Sequence, residues 1–369
     1  MHIKSVSIQN FRNLQPSRLL FSPQLNIIYG DNAAGKTSIL ETLFTFGHGR
    51  SFRTSRHSKL IHHEQESFTL FGELISSGVN HRLGIQRFRN NDVKIRLNQE
   101  PLSKLSDLVT LAPIQVLAPE HYELLTKGPS GRRKMLDWGV FHVEHSFLKR
   151  WQSCQRIILQ RNKLLKSSHS YTDLQVWDEQ LIPLSEQVNH YRQKYCELLT
   201  PHFQDIVAEF LPDVELSLEF YPGWQGKSLR QLLTEQYSKD KKLGYTQSTI
   251  QKADLRILSG KRLAADYLSR GQQKLVTTAL KLGQLKLAQE RGRQYPVFLL
   301  DDIGAELDEN HQKMLLNFLA HQPQNQQIFI SCVHLDPLKS LINRYNNARL
   351  FHVEHGAVSV IEASEINSQ

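Results

Sequence analysis

The chain has 369 residues, of which 40% are hydrophobic and 22% charged, and its formal net charge at pH 7 is +9. These proportions are those of an ordinary globular protein, and the length allows two lobes with a core each. No apolar run approaches the ~18–20 residues that a membrane-spanning helix needs, so a membrane protein is not expected. The positive charge favours a polyanionic partner, although a solvated basic surface would explain the same total.

The first predicted elements are a strand with alternating Val6 and Ile8 and a second strand over the apolar run 25–29. The second strand leads into Gly30-Asp31-Asn32-Ala33-Ala34-Gly35-Lys36-Thr37, and a helix with an apolar face follows. This sequence matches the phosphate-loop pattern G-x-x-x-x-G-K-[ST] at every defined position, in the strand-turn-helix context that the pattern requires. A chance glycine-rich turn is the alternative, and eight residues in register argue against it.

The predicted phosphate loop indicates binding of ATP and Mg²⁺. Gly30 and Gly35 allow backbone N–H groups to approach a phosphate, and the helix N-terminus adds its positive end. We predict that Lys36 reaches the outer phosphates and that the Thr37 hydroxyl binds Mg²⁺. The nucleotide-binding residues predicted in this segment are Gly30, Asp31, Asn32, Ala33, Ala34, Gly35, Lys36, Thr37 and Ser38.

A basic segment follows the first helix, and its predicted DNA-binding residues are Arg50, Arg53 and Arg56. A second basic cluster contains Arg132 and Arg133. Nothing in either segment is typical of a base-reading helix, so we expect contacts with phosphate and sugar and little sequence preference. For Arg132 and Arg133, structural pairing with nearby acidic residues is the alternative.

Three alternating segments, 68–75, 83–88 and 93–97, are separated by turn residues and predict an antiparallel meander. From about residue 134 to residue 210 the pattern is helical. This region predicts an inserted lobe with too few residues for a long coiled-coil arm.

Two prolines, Pro183 and Pro201, are expected to punctuate the helical region. A strand over residues 214–220 is expected to close the lobe. The chain would then return to the first lobe from about residue 265.

The sequence Leu268-Ser269-Arg270-Gly271-Gln272-Gln273 opens a long predicted helix. Small residues at a helix N-terminus suit an anion, but they also cap helices well, and capping alone is the alternative. The pattern resembles the signature of ABC ATPases. The resemblance implies that Ser269, Gly271 and Gln272 contact the γ-phosphate of ATP held by a second subunit, so that ATP drives dimerisation.

The apolar run 297–300 ends in two adjacent aspartates, Asp301 and Asp302. A run of this kind predicts a buried parallel strand, and carboxylates at its carboxyl end belong at the edge of the sheet where ligands bind. We predict that Asp301 holds Mg²⁺ and that Asp302 orients or deprotonates the attacking water. The alternative is that the pair only caps the next helix. Residues 306–308 resemble the loop that acts across ABC-type dimers.

Further segments resemble the RecF family, within the SMC-like branch of ABC ATPases. The segments that carry this resemblance are Ile8-Gln9-Asn10-Phe11-Arg12-Asn13-Leu14, Gly49-Arg50-Ser51-Phe52-Arg53-Thr54, Gly128–Trp138 and Gln160-Arg161-Asn162. Lys36 and Ser269 are also separated by over two hundred residues, more than is usual in transporter motors. The resemblance runs from the first residues past Asp308.

The RecF resemblance implies roles for several further residues. Arg12 and Asn13 should lie beside the nucleotide, and Gln115 should sense the metal or the γ-phosphate. Asp302, Lys36 and Gln115 are therefore the predicted catalytic residues, and Thr37 and Asp301 the predicted metal ligands. Arg53 should reach from its loop towards nucleotide or DNA.

Two positions depart from the pattern. Family members commonly carry a Gly-Pro-His-Arg stretch where this chain has Thr249-Ile250-Gln251-Lys252, so the contact made by that element is in doubt. A switch histidine follows the next strand in transporters, but the register does not clearly place His334 there, and its role stays open.

The implied fold is α/β, an ABC-type P-loop ATPase head with a mixed parallel core and an antiparallel meander, carrying an inserted, mainly helical second lobe. The expected boundaries are 1–130 for the first part of the head, 131–264 for the inserted lobe and 265–369 for the second part of the head.

The implied function is an ATP-dependent DNA-binding clamp that dimerises on ATP and is released by slow hydrolysis, with weak DNA-stimulated ATPase activity and no nuclease. The resemblance further implies gap repair and recombination, binding of double-stranded and gapped DNA, help in loading RecA at single-strand/duplex junctions, and partners of the RecR and RecO type. The ATPase subunit of an ABC transporter is the alternative. A metabolic P-loop kinase would explain neither the signature nor the paired aspartates.

The three cysteines, Cys154, Cys196 and Cys332, lie far apart with no metal-binding spacing. The N-terminus begins with a strand pattern and shows no signal-peptide core. Reduced thiols and a cytoplasmic location are expected.

Overall fold

The computed structural model describes residues 1–167, 170–292 and 294–362, without the side chains of residues 305, 306 and 362. The chain divides into two compact units, which we call the head unit (residues 1–122 and from 288 onwards) and the helical unit (residues 123–287). Within the described residues, no helix is long and apolar enough to cross a membrane.

The first part of the head unit is mostly β-structure. Its elements are β1 (His2–Gln9), β2 (Ser17–Leu20), β3 (Leu25–Tyr29), α1 (Lys36–His48), β4 (Ser67–Ser76), β5 (Val79–Phe88), β6 (Val93–Leu97), β7 (Glu100–Pro101), α2 (Leu105–Leu111) and β8 (Ile114–Leu117). One antiparallel sheet has the order β2-β1-β4-β5-β6-β7. The tight turn between β4 and β5 uses Ser77 and Gly78, both with positive φ, as two-residue hairpins favour. The predicted meander is confirmed.

The helical unit follows. Its elements are α3 (Pro129–Val143), α4 (Phe147–Ser167), α5 (Thr172–Phe210), β9 (Ser217–Tyr221), α6 (Leu229–Glu235), α7 (Tyr237–Leu243), β10 (Asp254–Ser259), β11 (Arg262–Leu263), α8 (Ala264–Tyr267) and α9 (Arg270–Arg291). Its small sheet has the order β11-β10-β9. The strand predicted over residues 214–220 begins three residues later, at Ser217.

The prediction that Pro183 and Pro201 punctuate the helical region is wrong, because both lie inside α5, a single helix of 39 residues. A proline inside a helix removes one hydrogen bond and costs roughly 3 kcal/mol. Burial of one helix face offsets this cost, since Leu174, Leu181 and Val188 recur every seven residues and are at most 1% exposed. Packing against its neighbours therefore keeps α5 continuous.

The chain returns to the head unit with a second α/β part. Its elements are β12 (Val297–Leu300), α10 (Ile303–Glu306), α11 (Glu309–Ala320), β13 (Ile328–Cys332), α12 (Lys339–Arg344), β14 (Arg349–Glu354) and β15 (Ala357–Glu362). The second sheet has the order β15-β14-β3-β13-β12-β8, with β14, β3, β13, β12 and β8 all parallel. Strands β3, β13 and β12 thus end at one edge of the sheet, where β3 runs into the phosphate loop.

The compact units are cut at residues 122 and 287, whereas the expected boundaries lay at residues 130 and 264. Residues 265–287, which include the signature, group with the helical unit through α9. The expected boundaries describe an ATPase head and its insertion, and they remain a prediction.

Candidate nucleotide-binding site

The phosphate loop joins β3 to α1 in a conformation that favours small residues. Gly30 has φ +145°, Gly35 has φ +124° and Ala33 lies in the left-handed region at φ +65°. A Cβ on Gly30 would also lie 2.2 Å from the carbonyl oxygen of Val353. The loop ends where α1 begins, so the unpaired N–H groups of the first helical turn are available to an anion.

Lys36 folds back over this loop. Its Nζ donates to the carbonyl oxygens of Gly30 (2.7 Å) and Asp31 (2.9 Å). Both acceptors are uncharged, so these hydrogen bonds hold the ammonium group in place without neutralising it. A phosphate oxygen would be the stronger partner, because hydrogen bonds between charged groups are roughly twice as strong as neutral ones.

A pair of oxygen ligands lies beside the loop. Thr37 Oγ1 donates to Asp301 Oδ1 (3.0 Å), and Ser331 Oγ donates to the same oxygen (2.7 Å). Burial raises the pKa of Asp301, and the two hydroxyl hydrogen bonds oppose that rise. A hydroxyl and a buried carboxylate fit Mg²⁺, which takes one or two protein oxygens and completes its shell with phosphate and water. Elsewhere in the described chain, no cluster of three or more His, Cys, Asp or Glu side chains suits a metal.

Asp302 turns the chain sharply at the end of β12. Its backbone lies in the left-handed region (φ +52°, ψ +66°), a conformation that costs about 1–3 kcal/mol for a residue other than glycine. Its N–H donates to Ser331 Oγ (2.8 Å), which holds the turn in place. Asp302 lines the cavity described next, a position that suits the predicted role of orienting water.

The residues of the phosphate loop and their neighbours enclose a cavity of about 340 Å³. The residues that line it are Asn13, Asn32, Ala33, Gly35, Lys36, Thr37, Ser38, Arg53 and Asp302. Its volume is within the usual range for small-molecule sites. The structure therefore brings together the phosphate loop, Asn13 and Asp302, which the sequence places far apart.

Glu41 is a central residue of this site that the sequence analysis missed. Its side chain is fully buried on α1 and accepts two hydrogen bonds of 2.8 Å from Arg12, as well as one from Ser51. The Nη1 atom of Arg53 lies 3.8 Å from the same carboxylate. One carboxylate is thus shared by two arginines, and Arg53 also pairs with Glu120 at 3.3 Å. No signal in the sequence indicated this burial, because helical spacing places Glu41 away from the apolar face of α1, and only folding shows that α1 is buried on nearly all sides.

Arg12 and Asn13 contribute differently. Asn13 Oδ1 accepts from Ser38 Oγ (2.9 Å), and Asn13 lines the cavity as expected. Arg12 is bound to Glu41 and does not line the cavity. Its predicted contact with the nucleotide would therefore act through Glu41, and it stays a prediction.

Arg53 lines the nucleotide cavity, and its Nε donates to Glu120 at 3.3 Å. Of its two expected targets, nucleotide and DNA, this position favours the nucleotide. All three arginines are exposed, and Arg50 and Arg56 differ from Arg53 because they lie outside the cavity lining. Their predicted contact with DNA stays a prediction.

Gln115 is not brought to the cavity. It lies on β8 opposite Phe298 of β12 and is buried, two residues before the strand ends at Leu117. The edge of the sheet where ligands bind lies beyond Leu117. This position gives no support to the predicted sensing of metal or γ-phosphate.

Ser331, near the end of β13, is hydrogen-bonded to both members of the acidic pair. His334 lies two residues beyond the strand and is exposed. Ser331 was also missed, because a serine at a strand end carries no signal of its own. In the loop 306–308, Asp308 caps α11 by accepting from the N–H of His311, and the side chain of Glu306 lies outside the described residues.

The signature residues lie in the helical unit, at the start of α9. Ser269 Oγ accepts from the N–H of Gln272 (3.3 Å), and the Gln272 side chain accepts from the N–H of Ser269 (3.0 Å). This reciprocal pair is a capping box. Ser269 and Gly271 are exposed, and a Cβ on Gly271 would meet no atom closer than 4.0 Å. Capping therefore accounts for the serine, while the exposed glycine leaves room for a ligand or a second chain.

The second basic cluster is divided in its roles. Arg132 donates to both oxygens of Asp254 (2.9 Å each), as the structural alternative describes. Arg133 instead donates to the carbonyl oxygen of Ala253 (2.8 Å). The geometry favours structural pairing for Arg132 and leaves the charge of Arg133 without a bonded carboxylate.

Known proteins resemble this chain over nearly its whole length. Residues 2–358 match the family model described as the RecF/RecN/SMC N terminal domain. The chain is 38% identical over 364 residues to the DNA replication and repair protein RecF of Shewanella baltica (strain OS223), a match that covers 98% of this chain and the whole relative.

Two solved structures are similar to this one. The recombination mediator protein RecF with ATP, from the RecFOR pathway, has a TM-score of 0.84 and 26% identity over 98% of both chains. An Smc head bound to the C-winged helix domain of ScpA has a TM-score of 0.60 and 14% identity over the full length of both chains, which shows the fold alone. The predicted ABC-type ATPase head with an inserted, mainly helical lobe is confirmed. By sequence and by fold, the chain belongs to the RecF family.

Proposed function

We propose that this protein is an ATP-dependent DNA-binding clamp, in which ATP binding drives dimerisation and DNA binding and slow hydrolysis releases both. The observation that carries the proposal is the exposed signature in a chain that also holds a preformed phosphate cavity. Ser269 and Gly271 lie at the start of a helix, where an anion can bind, and both are exposed. ATP in the cavity of a second copy supplies the matching anion.

The cavity residues have separate roles in this cycle. Lys36 exchanges its two carbonyl acceptors for phosphate oxygens, and Thr37 and Asp301 hold Mg²⁺. When bound, Mg²⁺ neutralises part of the phosphate charge. Asp302 orients the attacking water from the turn that Ser331 fixes. The same arrangement predicts a weak ATPase that DNA stimulates, and we assign no nuclease activity.

The biological role follows from the relatives. Proteins named for DNA replication and repair, and a structure of a recombination mediator protein placed in the RecFOR pathway, support a role in recombination and DNA repair. We propose that this role is gap repair and that the protein acts in the cytoplasm. We propose double-stranded and gapped DNA as ligands, RecO- and RecR-type proteins as partners, and help in loading RecA at single-strand/duplex junctions. The ABC transporter alternative is not favoured, because the full-length relatives are RecF proteins.

The decisive experiment measures the oligomeric state with ATP and Mg²⁺, with and without gapped duplex DNA. Wild type should shift from monomer to dimer and bind DNA more tightly, and Ser269→Arg should do neither while still binding ATP. Ser228→Arg is the matched control, because Ser228 caps α6 through the same capping box with Gln231. If the two variants behave alike, Ser269 is only a cap and the clamp loses its support.

A further inference from the structure

The helical unit contains a second cavity, of about 390 Å³, that no role above explains. Its walls come from α3, α4, α5 and the short turn at Ile250–Lys252. That turn is the segment where the chain departs from the family pattern. The charged residues that line the cavity are Arg133, Lys134, Asp137, Arg192 and Lys252.

These charges do not balance. Arg192 donates to both oxygens of Asp137 (2.8 and 3.0 Å), so the one acidic side chain of the lining is already paired. Three cations remain, namely Arg133, Lys134 and Lys252. Among the described residues, neither lysine forms an ion pair, and the ammonium group of Lys252 lies 5.8 Å from the ring centre of Tyr245.

Asp254, the other acid whose charge acts on Arg133, is also occupied. Asp254 is held by both arms of Arg132, while Arg133 is bonded to the carbonyl oxygen of Ala253. Burial, and then the neighbouring Arg192, lower the pKa of Arg133, so its charge is held at a cost that an anion would relieve.

The back wall of the cavity is rigid. The side chain of Arg192 is 1% exposed and also donates to the carbonyl oxygen of Ile250 (2.9 Å). Trp151 and Gln155 lie one turn apart on α4 and line the cavity from that helix. The cavity thus combines fixed positive charge with an indole, the two features that nucleic-acid strands use for their phosphates and bases.

We propose that this cavity binds the phosphate group of a nucleotide unit, with Arg133, Lys134 and Lys252 as its ligands. A guanidinium and two ammonium groups suit the oxygens of a phosphate, which carries one negative charge within a DNA strand and up to two at the end of a nucleotide. The unit belongs either to a DNA strand, in which case the site deepens the proposed clamp function and rests on it, or to a free nucleotide. Arg133 is the DNA contact in its cluster, and Arg132 is its structural neighbour.

The test uses the full-length chain and two probes, thymidine 3′,5′-bisphosphate and a labelled single-stranded oligonucleotide. The bisphosphate titrations are repeated with the Lys36→Met substitution added to each protein, so that binding in the first cavity is recognised. The double variant Lys134→Gln/Lys252→Gln removes two exposed charges that form no ion pair among the described residues, with the loss of one contact between Lys252 and Tyr245. Lys149→Gln is the control, because Lys149 is exposed on α4 two residues from Trp151 and does not line the cavity.

We expect the double variant to bind the bisphosphate at least ~10-fold more weakly, and each lost phosphate contact to lower the salt dependence of oligonucleotide binding by a slope of about 1. Weaker binding of both probes supports the DNA source, and weaker binding of the bisphosphate alone supports the free nucleotide. Equal binding by wild type, variant and control overturns the site. So does equal competition by hexaglutamate, which would mean recognition of charge alone.

ATP-induced dimerisation, measured in parallel, keeps this proposal separate from the clamp. A variant that dimerises but no longer binds the bisphosphate confirms an independent site. If wild type never dimerises, the clamp function is contradicted. The bisphosphate titration of the same protein still tests phosphate binding in the second cavity.

Discussion

Two arginine clusters in this chain differ in how tightly their arginines are held. In the helical unit, the buried Arg161 contacts two aspartates, Asp178 (2.6 Å) and Asp240 (3.1 Å), and also Thr246 (2.7 Å). In the head unit, the one carboxylate of Glu41 serves two arginines, Arg12 and Arg53. We call these groups the Arg161 cluster and the Glu41 cluster.

The difference separates structure from function. The Arg161 cluster saturates its cation with acids, so it holds α4, α5 and α7 together and has nothing left for a ligand. The Glu41 cluster leaves the Arg53 side chain 37% exposed at the lining of a cavity, 3.8 Å from Glu41 and 3.3 Å from Glu120, and Lys36 there has only carbonyl acceptors. Sites that bind anions keep such unused capacity, which a purely structural cluster has no reason to retain.

The largest expected effect concerns the carboxylate that faces the cavity. Asp302→Asn should slow ATP hydrolysis by about 10²–10⁴-fold, the usual contribution of a group that activates water. ATP binding should persist, so the dimer should be trapped. Single-turnover hydrolysis and sedimentation with ATP measure the two properties. Rapid turnover by this variant would remove Asp302 from the mechanism.

The next effect tests the closed cluster. Arg161→Met should lower the free energy of unfolding by about 3–5 kcal/mol, because two buried aspartates lose their cation. Denaturant titration measures the loss. The triple variant Arg161→Met/Asp178→Leu/Asp240→Leu should recover much of it. If the single variant is as stable as wild type, the Arg161 cluster does not hold α4, α5 and α7 together.

A smaller effect tests the open cluster. Glu41→Gln should keep one of the two hydrogen bonds from Arg12 but remove the charge that positions both arginines, and we expect ATP affinity to fall about 10-fold (~1.4 kcal/mol). Titration with a fluorescent ATP analogue gives the affinity. Glu66→Gln, an exposed glutamate outside the cavity, is the control. Unchanged affinity would reduce Glu41 to a structural acid.

The smallest expected effect is a pH dependence in the helical unit. His142 packs against Trp138, and burial lowers its pKa to about 3 from 6.5. Because the unfolded chain binds this proton more tightly, stability from the neutral ring is complete above pH 6.5 and declines as the pH falls towards 3. The loss should be about 1–2 kcal/mol at pH 5. His142→Phe should reduce the dependence of the free energy of unfolding on pH between pH 7 and 5, as measured by denaturant titration at each pH. If the variant shows the same dependence as wild type, His142 is not the group responsible.

Local patterns were sufficient for the phosphate loop, the acidic strand and the meander, since each is defined by neighbouring residues and a backbone period. They were insufficient for α5, where two prolines predicted interruptions that packing overrides. They also could not choose between Arg132 and Arg133, because adjacent residues on α3 meet different partners from another part of the chain.

The sequence by itself determined the family, the phosphate-binding chemistry and the α/β fold class, because these depend on contiguous motifs with strict local geometry. Tertiary structure alone decided that Ser331 supports the acidic pair, that Glu41 shares its charge between two arginines, and that Lys252 joins Arg133 at a second cavity. Each of these depends on which side chains meet after folding and on how their charges then balance. No local pattern contains that information, because the partners lie tens to hundreds of residues apart.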